Sequence, residues 1–169
     1  KIGLTDLVIG YNHHFGRNRE GSFANLDEYS EVYGFNIHQV KPYFFNKKSV
    51  SSTKIRDAIN NGLIQLASQY LGYNFQLTGR VIKGKGVGNQ IGFPTANIEL
   101  ENINKIIPKN GVYVVYVLYK NQRFKGMLNI GLNPTFNTQK LSIEVHIFDF
   151  HESIYDEYIT LEFVKKIRN

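Results

Sequence analysis

The sequence predicts two architectures in tandem: a short α/β segment, then a mainly β, six-stranded antiparallel barrel. Three observations carry this. Residues 7–40 read strand, helix, strand, the order of a parallel βαβ unit. From Phe75 onward the hydrophobic period changes from helical to alternating. Six alternating runs then follow before Val164, and a sheet of that size removes its exposed edges by closing on itself.

Leu7-Val8-Ile9-Gly10 is a short apolar strand ending at a glycine. A lone strand needs partners. The other end stops as abruptly at Arg168-Asn169, so the sequence reads as a piece of a longer polypeptide. GYNHHFGRNREG, residues 10–21, is a loop after a strand, and in open α/β sheets such loops hold ligands. Asn25–Tyr33 reads as a short helix and Phe35–Val40 as the returning strand. Next, Ser51, Ser52 and Thr53 precede Ile55, Ile59, Leu63 and Leu66 at near-helical spacing. Capping alone accounts for those hydroxyls. A helix start carrying hydroxyls and Arg56 also suits a phosphate. Gly62 separates two short helices and Gly72 closes the second.

The domain boundary is placed at Gly72-Tyr73-Asn74, giving domains 1–72 and 73–169. The expected strands are Phe75–Lys83, Ile91–Ile98, Val112–Lys120, Arg123–Ile130, Leu141–Phe148 and Ile159–Val164, with a tight turn at Asn121-Gln122.

Composition narrows the partners. The net charge is +6, yet the basic residues are spread out, with only short pairs at Lys47-Lys48 and Lys165-Lys166. A solvated basic surface explains this, and small anions such as nucleotides fit better than nucleic acid. Cysteine is absent, which excludes disulfides, thiolate metal sites and thiol nucleophiles. No apolar run reaches the roughly 20 residues of a membrane span. With no visible signal peptide, the expected location is cytoplasmic.

The chemistry centres on Gly79–Ile98, GRVIKGKGVGNQIGFPTANI. Glycines let backbone N–H groups approach an anion. Gly79-x-x-x-x-Gly84-Lys85 begins like a Walker A loop, but Gly86 stands where Ser or Thr is required and a strand follows instead of a helix. The dinucleotide fingerprint fails at Ile91. Thr95 and Asn97 lie two apart on an extended chain, so their side chains share a face. Together they offer the hard oxygens that Mg²⁺ shares with phosphates and water; alone they read as surface polarity. On the later strand, Leu141, Ile143, Val145 and Ile147 form one face, and Ser142, Glu144, His146 and Phe148 the other. Glu144 is either an ordinary solvated glutamate or the base that takes a proton from a hydroxyl attacking a phosphoryl group. His146 reads as a structural neighbour. GMLNIGLNPTF, residues 126–136, is either a turn or a lid over an aromatic ligand, with Phe136 packing on it.

These motifs, GFPTANI, GVYVVYV, NIGLNPTF and IEVHIFDF in that order with a terminal Ile-Arg, resemble riboflavin kinases. VIGYNHHFG and VSSTKIR resemble the front part of the bacterial bifunctional riboflavin kinase/FAD synthetase. The resemblance implies a truncated, Rossmann-type nucleotidyltransferase part, the FMN adenylyltransferase, followed by the riboflavin kinase barrel. It implies Glu144 as catalytic base. It places ATP at Gly84, Lys85, Gly86, Gly88, Pro94, Thr95 and Asn97, with Thr95 and Asn97 holding Mg²⁺. Flavin contacts are implied at Asn129, Gly131, Pro134, Thr135, Phe136 and Arg168. Adenylyltransferase nucleotide contacts are implied at Gly10, Asn12, Phe15, Gly16, Ser51, Ser52, Thr53 and Arg56.

The implied substrates are ATP and riboflavin, with FMN as product and FAD made only by a longer parent. Four departures stand out. Asn12 replaces the usual Asp, and Asn89 replaces an Arg, which removes a fixed charge near phosphate. No His-x-Gly-His motif and no C-terminal helix are present. The chain is therefore expected to make FMN or nothing, and no FAD. The competing readings are a non-catalytic FMN-binding barrel and an OB-type nucleic-acid-binding barrel.

Overall fold

The structure, a computed structural model, describes residues 3–84, 94–101, 104–135 and 138–169, with backbone alone at 133–135 and 138–140. It divides into two compact units, Lys1–Val50 and Ser51–Asn169.

The first unit is the expected βαβ element. β1 (Asp6–Gly10) pairs in parallel with β2 (Asn36–Val40), joined through α1 (Phe23–Tyr33). The helix begins two residues earlier than the sequence suggests because Ser22 caps it. The Ser22 backbone N–H donates to Asn25 Oδ1 at 2.9 Å, closing a capping box. Gly34, at φ 70, ends the helix in the left-handed region. A small hairpin follows, β3 (Phe44–Phe45) with β4 (Lys48–Ser49). Its turn residues Asn46 and Lys47 both have positive φ, which matches the strand twist. Nothing in the sequence reading anticipates this hairpin.

In the second unit, α2 (Ser52–Asn60) and α3 (Ile64–Leu71) are separated by Gly62 at φ 74, and Gly72 at φ 81 closes α3. Six strands among the described residues then close into a barrel. They are β5 (Gln76–Ile82), β6 (Ala96–Leu100), β7 (Gly111–Tyr119), β8 (Gln122–Thr135), β9 (Thr138–Ile147) and β10 (Tyr158–Arg168). Around the barrel the order is β10-β5-β6-β9-β8-β7, and β10 pairs with β7 to complete it. Every pairing is antiparallel. Closure leaves no sheet edge unpaired, which is why so short a segment needs no second layer. The interior is filled by alternate residues, including Leu77, Val81, Tyr113, Val115, Val117, Leu128, Val145, Leu161 and Phe163. Among the described residues no helix is long and apolar enough to cross a membrane.

Three element expectations need correction. The second barrel strand is Ala96–Leu100, so Pro94 and Thr95 precede it; Ile91–Phe93 lie outside the described residues. The β7–β8 turn is Lys120-Asn121, at φ 46 and 63, not Asn121-Gln122. A two-residue turn of this kind needs positive φ at both centres, and Asn121 supplies the better of the two from its second position. Residues 126–135 are neither turn nor lid but the continuation of β8, paired with β9 as far as Thr135 opposite Thr138. Phe136 lies outside the described residues.

Compactness divides the chain ahead of both helices, whereas the sequence reading divides it at Gly72-Tyr73-Asn74. Phe75 explains the difference. It packs against both the Ala58, Ile59 and Ala67 cluster and the barrel core, with its ring 5.7 Å from that of Phe163.

Tyr113 sits in the same core, edge-on to Phe163, and its hydroxyl donates to the Lys109 carbonyl. Burial pushes its pKa from 10.0 up to about 12. Folding therefore favours the protonated phenol. That contribution is intact below pH 10 and is lost as pH rises toward about 12. Tyr113→Phe should be less stable at neutral pH by about 1 kcal/mol. It should also lose less further stability than the parent chain between about pH 10 and about pH 12, as read by denaturant unfolding.

Candidate active site

The site is built on the outer face of the barrel wall by strand register. In β9, Ile143, Val145 and Ile147 are buried inside, so Glu144 and His146 face outward. Glu144 lies opposite Asn97 of β6 on one side and opposite Asn129 of β8 on the other. Asn129 in turn is opposite Val112 of β7, and Val112 is opposite Arg168 of β10. One row thus runs Asn97, Glu144, Asn129, Val112, Arg168. Directly opposed residues on one face have Cβ atoms only about 4.5–5.5 Å apart.

Arg168 joins this row because β10 carries two register shifts, between Phe163 and Lys165 and between Lys166 and Arg168. Each adds one residue to the strand and re-aims the side chains beyond it.

Two hollows lie here, one on this outer wall and the other against inward-facing side chains of the barrel. One, of about 250 Å³, is lined by Thr95, Val112, Met127, Asn129, Glu144, His146 and Arg168. The other, of about 260 Å³, is lined by Val81, Pro94, Thr95, Ala96, Val145, Ile147 and the segment from Phe150 to Tyr155. Thr95 belongs to both.

Glu144 is half-buried, and Ser142 Oγ donates to its Oε1 at 2.6 Å. That bond holds one carboxylate oxygen in place. His146 Nδ1 is 2.8 Å from the Pro94 carbonyl oxygen, tying β9 to the turn that carries Thr95.

Gly84 is in direct contact with the Asn97 carboxamide, and a Cβ there would overlap it. The start of the glycine loop and the Asn97 side chain are therefore in contact. Lys85, Gly86 and Gly88 lie outside the described residues.

No three His, Cys, Asp or Glu side chains gather into a metal group among the described residues. Thr95 and Asn97 supply two neutral, hard oxygens. Such a donor set fits Mg²⁺ arriving with a phosphate ligand rather than an all-protein cage. Gly84→Ala tests this fit. The displaced group is the end of a flexible side chain, so stability should change by less than about 1 kcal/mol, while Mg-ADP affinity falls about tenfold or more. Calorimetry beside a thermal melt reads both.

Of the remaining expected flavin contacts, Gly131 lies opposite Ser142 on the same pair of strands as Asn129. The backbones of Pro134 and Thr135 continue that pairing. In the first unit, Gly10 ends β1, Asn12 is exposed and Gly16 has φ 75. Phe15 bridges Gly21, where its ring leaves no room for a Cβ. In the second unit, Ser51 caps α2, accepting from the Lys54 N–H at 3.4 Å, and Ser52, Thr53 and Arg56 are exposed around that helix start.

The sequence reading missed Ser142 as a partner of Glu144 and the whole 150–155 wall. The first was legible from the period-two alternation. The second depends on a loop folding back over the barrel mouth.

The family model described as riboflavin kinase matches residues 71–169, more than half of the chain. The chain belongs to the riboflavin kinase family. The model described as FAD synthetase matches residues 1–54, only a fragment of an adenylyltransferase.

Among curated relatives, a bifunctional riboflavin kinase/FMN adenylyltransferase from Haemophilus influenzae is 42% identical, covering 96% of this chain and 53% of the relative. The protein of the same name from Buchnera aphidicola subsp. Schizaphis graminum is 38% identical, covering 100% of this chain and 55% of the relative. That from Escherichia coli K12 is 37% identical, covering 96% and 52%. The chain thus spans about half the length of the curated relatives it matches. A crystal structure described as a macrolide-efflux protein from Streptococcus pneumoniae has the same fold. It gives a TM-score of 0.84 at 34% identity, covering 96% of this chain and 52% of that one. The short α/β part and the six-stranded antiparallel riboflavin kinase barrel are therefore as the sequence predicts.

Proposed function

We propose that this riboflavin kinase family chain transfers the γ-phosphoryl group of ATP to the 5′-hydroxyl of riboflavin, giving FMN and ADP. The observation that carries this reading is that Thr95 lines both hollows, while Glu144 lines only one. A phosphoryl donor and an alcohol acceptor need two adjoining compartments that meet at the transferring group, with a base on the acceptor side. The acceptor side is the hollow holding Glu144, Asn129, His146 and Arg168. The donor side is the hollow walled by Phe150–Tyr155, whose Ile154 and Tyr155 suit an adenine face.

In the reaction the riboflavin hydroxyl oxygen bonds to the γ-phosphorus, the bond from that phosphorus to the β-phosphate oxygen breaks, and the hydroxyl proton passes to Glu144. Ser142 holds the carboxylate by its Oε1. Arg168 offsets phosphate charge from the far end of the row. Thr95 and Asn97 would hold Mg²⁺, which would neutralise phosphate charge. The kinase domain runs from 73 to 169. Residues 1–72 hold no His-x-Gly-His motif, and no FAD is expected from them. The setting is cytoplasmic, with small molecules as partners rather than nucleic acid or membrane.

Titration of riboflavin by calorimetry with and without Mg-ADP tests the two-compartment arrangement. The expected result is coupling, a several-fold change in riboflavin affinity when Mg-ADP is present. A passive FMN-binding barrel would show none.

A further inference from the structure

We propose that His146 is a positioning residue. Its Nδ1–H fixes the Pro94 carbonyl and so holds Thr95 in place between the two hollows. The inference rests on the kinase reading only for what Thr95 does there.

His146 Nδ1 lies 2.8 Å from the Pro94 oxygen, and a carbonyl oxygen can only accept. The ring therefore carries its proton on Nδ1. His146 sits on β9, two residues from Glu144 and on the same outward face. Pro94 and Thr95 precede β6 and so fall outside its strand pairing, which begins with Ala96 opposite Val145. Pro94 has no N–H to donate, and its fixed φ limits one backbone torsion only. The tie from His146 holds the next peptide, the one that leads into Thr95. The ring itself packs edge-on against Phe148, with centroids 5.4 Å apart, and this restrains its orientation. One side chain thus links the wall that bears the base to the turn that bears the shared hydroxyl. A displacement of about 1 Å at such a point costs on the order of 100-fold in a positioned reaction.

This role differs from proton transfer in a testable way. An Asn side chain offers an N–H near the Nδ1 position. Gln places its amide near Nε2, one carbon further out, and Ala offers none.

The test is Mg-ADP calorimetry on the full chain and on His146→Asn, His146→Gln and His146→Ala, with steady-state kinetics and the pH profile of kcat alongside. Expected is a Kd raised at least about tenfold in Ala and Gln, and within about threefold of the parent chain in Asn. Turnover should follow the same order, with pH limbs that do not move. The proposal is overturned if Ala binds Mg-ADP like the parent, if Asn is as weak as Ala while its melt stays cooperative, or if a pH limb disappears in Ala, which would make the ring a proton acceptor.

The binding series separates this inference from the kinase reading. A parent chain that forms no FMN but keeps the Asn-over-Gln order removes the kinase reading and leaves the tie. FMN formation without that order does the reverse. A parent chain that neither binds Mg-ADP nor forms FMN overturns both.

Discussion

Glu144→Gln should lower FMN formation roughly 10²–10⁴-fold, the span lost when a positioned general base is removed. The substitution keeps the side chain's size and its ability to accept from Ser142 Oγ, now 2.6 Å from Oε1. It removes only the basic oxygen. Mg-ADP affinity should stay within about threefold, because the glutamate lines the acceptor hollow and not the donor one. The loss should therefore appear in kcat. A variant that turns over at the parental rate would remove Glu144 as the base, whatever its place in the row. Loss of Mg-ADP binding instead would move the carboxylate to the nucleotide side.

Thr95→Val should cost about 10²–10³-fold in kcat/KM for Mg-ATP, comparable to deleting one preorganised electrostatic contact. Valine is isosteric and keeps the β-branch that favours extended backbone, so the turn before β6 is preserved. What disappears is the hydroxyl of the residue common to both hollows. The Mg²⁺ concentration for half-maximal rate should rise, and riboflavin binding in the absence of nucleotide should change little. Measuring rate against Mg²⁺ at saturating ATP and riboflavin checks this. If the hydroxyl were mere surface polarity, the curve would not move.

The barrel was legible because its core is written in a period of two. Val115, Val117, Val145 and Leu161 alternate with outward residues and are buried inside. The same alternation placed Glu144 and His146 outward without any knowledge of pairing. Register was not legible. That Asn129 opposes Glu144, and Asn97 opposes it from the other side, depends on long-range strand alignment. Arg168 reaches the row only through two shifts in β10, which no local pattern announces.

The far end of β8 was not legible: the sequence reading ends that strand at Ile130, whereas pairing with β9 carries it to Thr135. Gly126 within it is required by the close strand approach, since a Cβ there would come within 2.9 Å of the His146 carbonyl oxygen. The wall at residues 150–155 was hidden because these residues lie between two expected strands and carry no local pattern of their own. They are held against the barrel by buried Ile154 and by a bond from the Asp156 N–H to the Val81 carbonyl at 2.8 Å. Both contacts bridge residues far apart in sequence.

The most direct test of the account is to incubate the chain with riboflavin, ATP and Mg²⁺ and to separate riboflavin, FMN and FAD by chromatography. The predicted result is FMN forming with an equal amount of ADP, dependent on Mg²⁺, with no FAD. Riboflavin left unphosphorylated while the folded chain binds it would contradict the account.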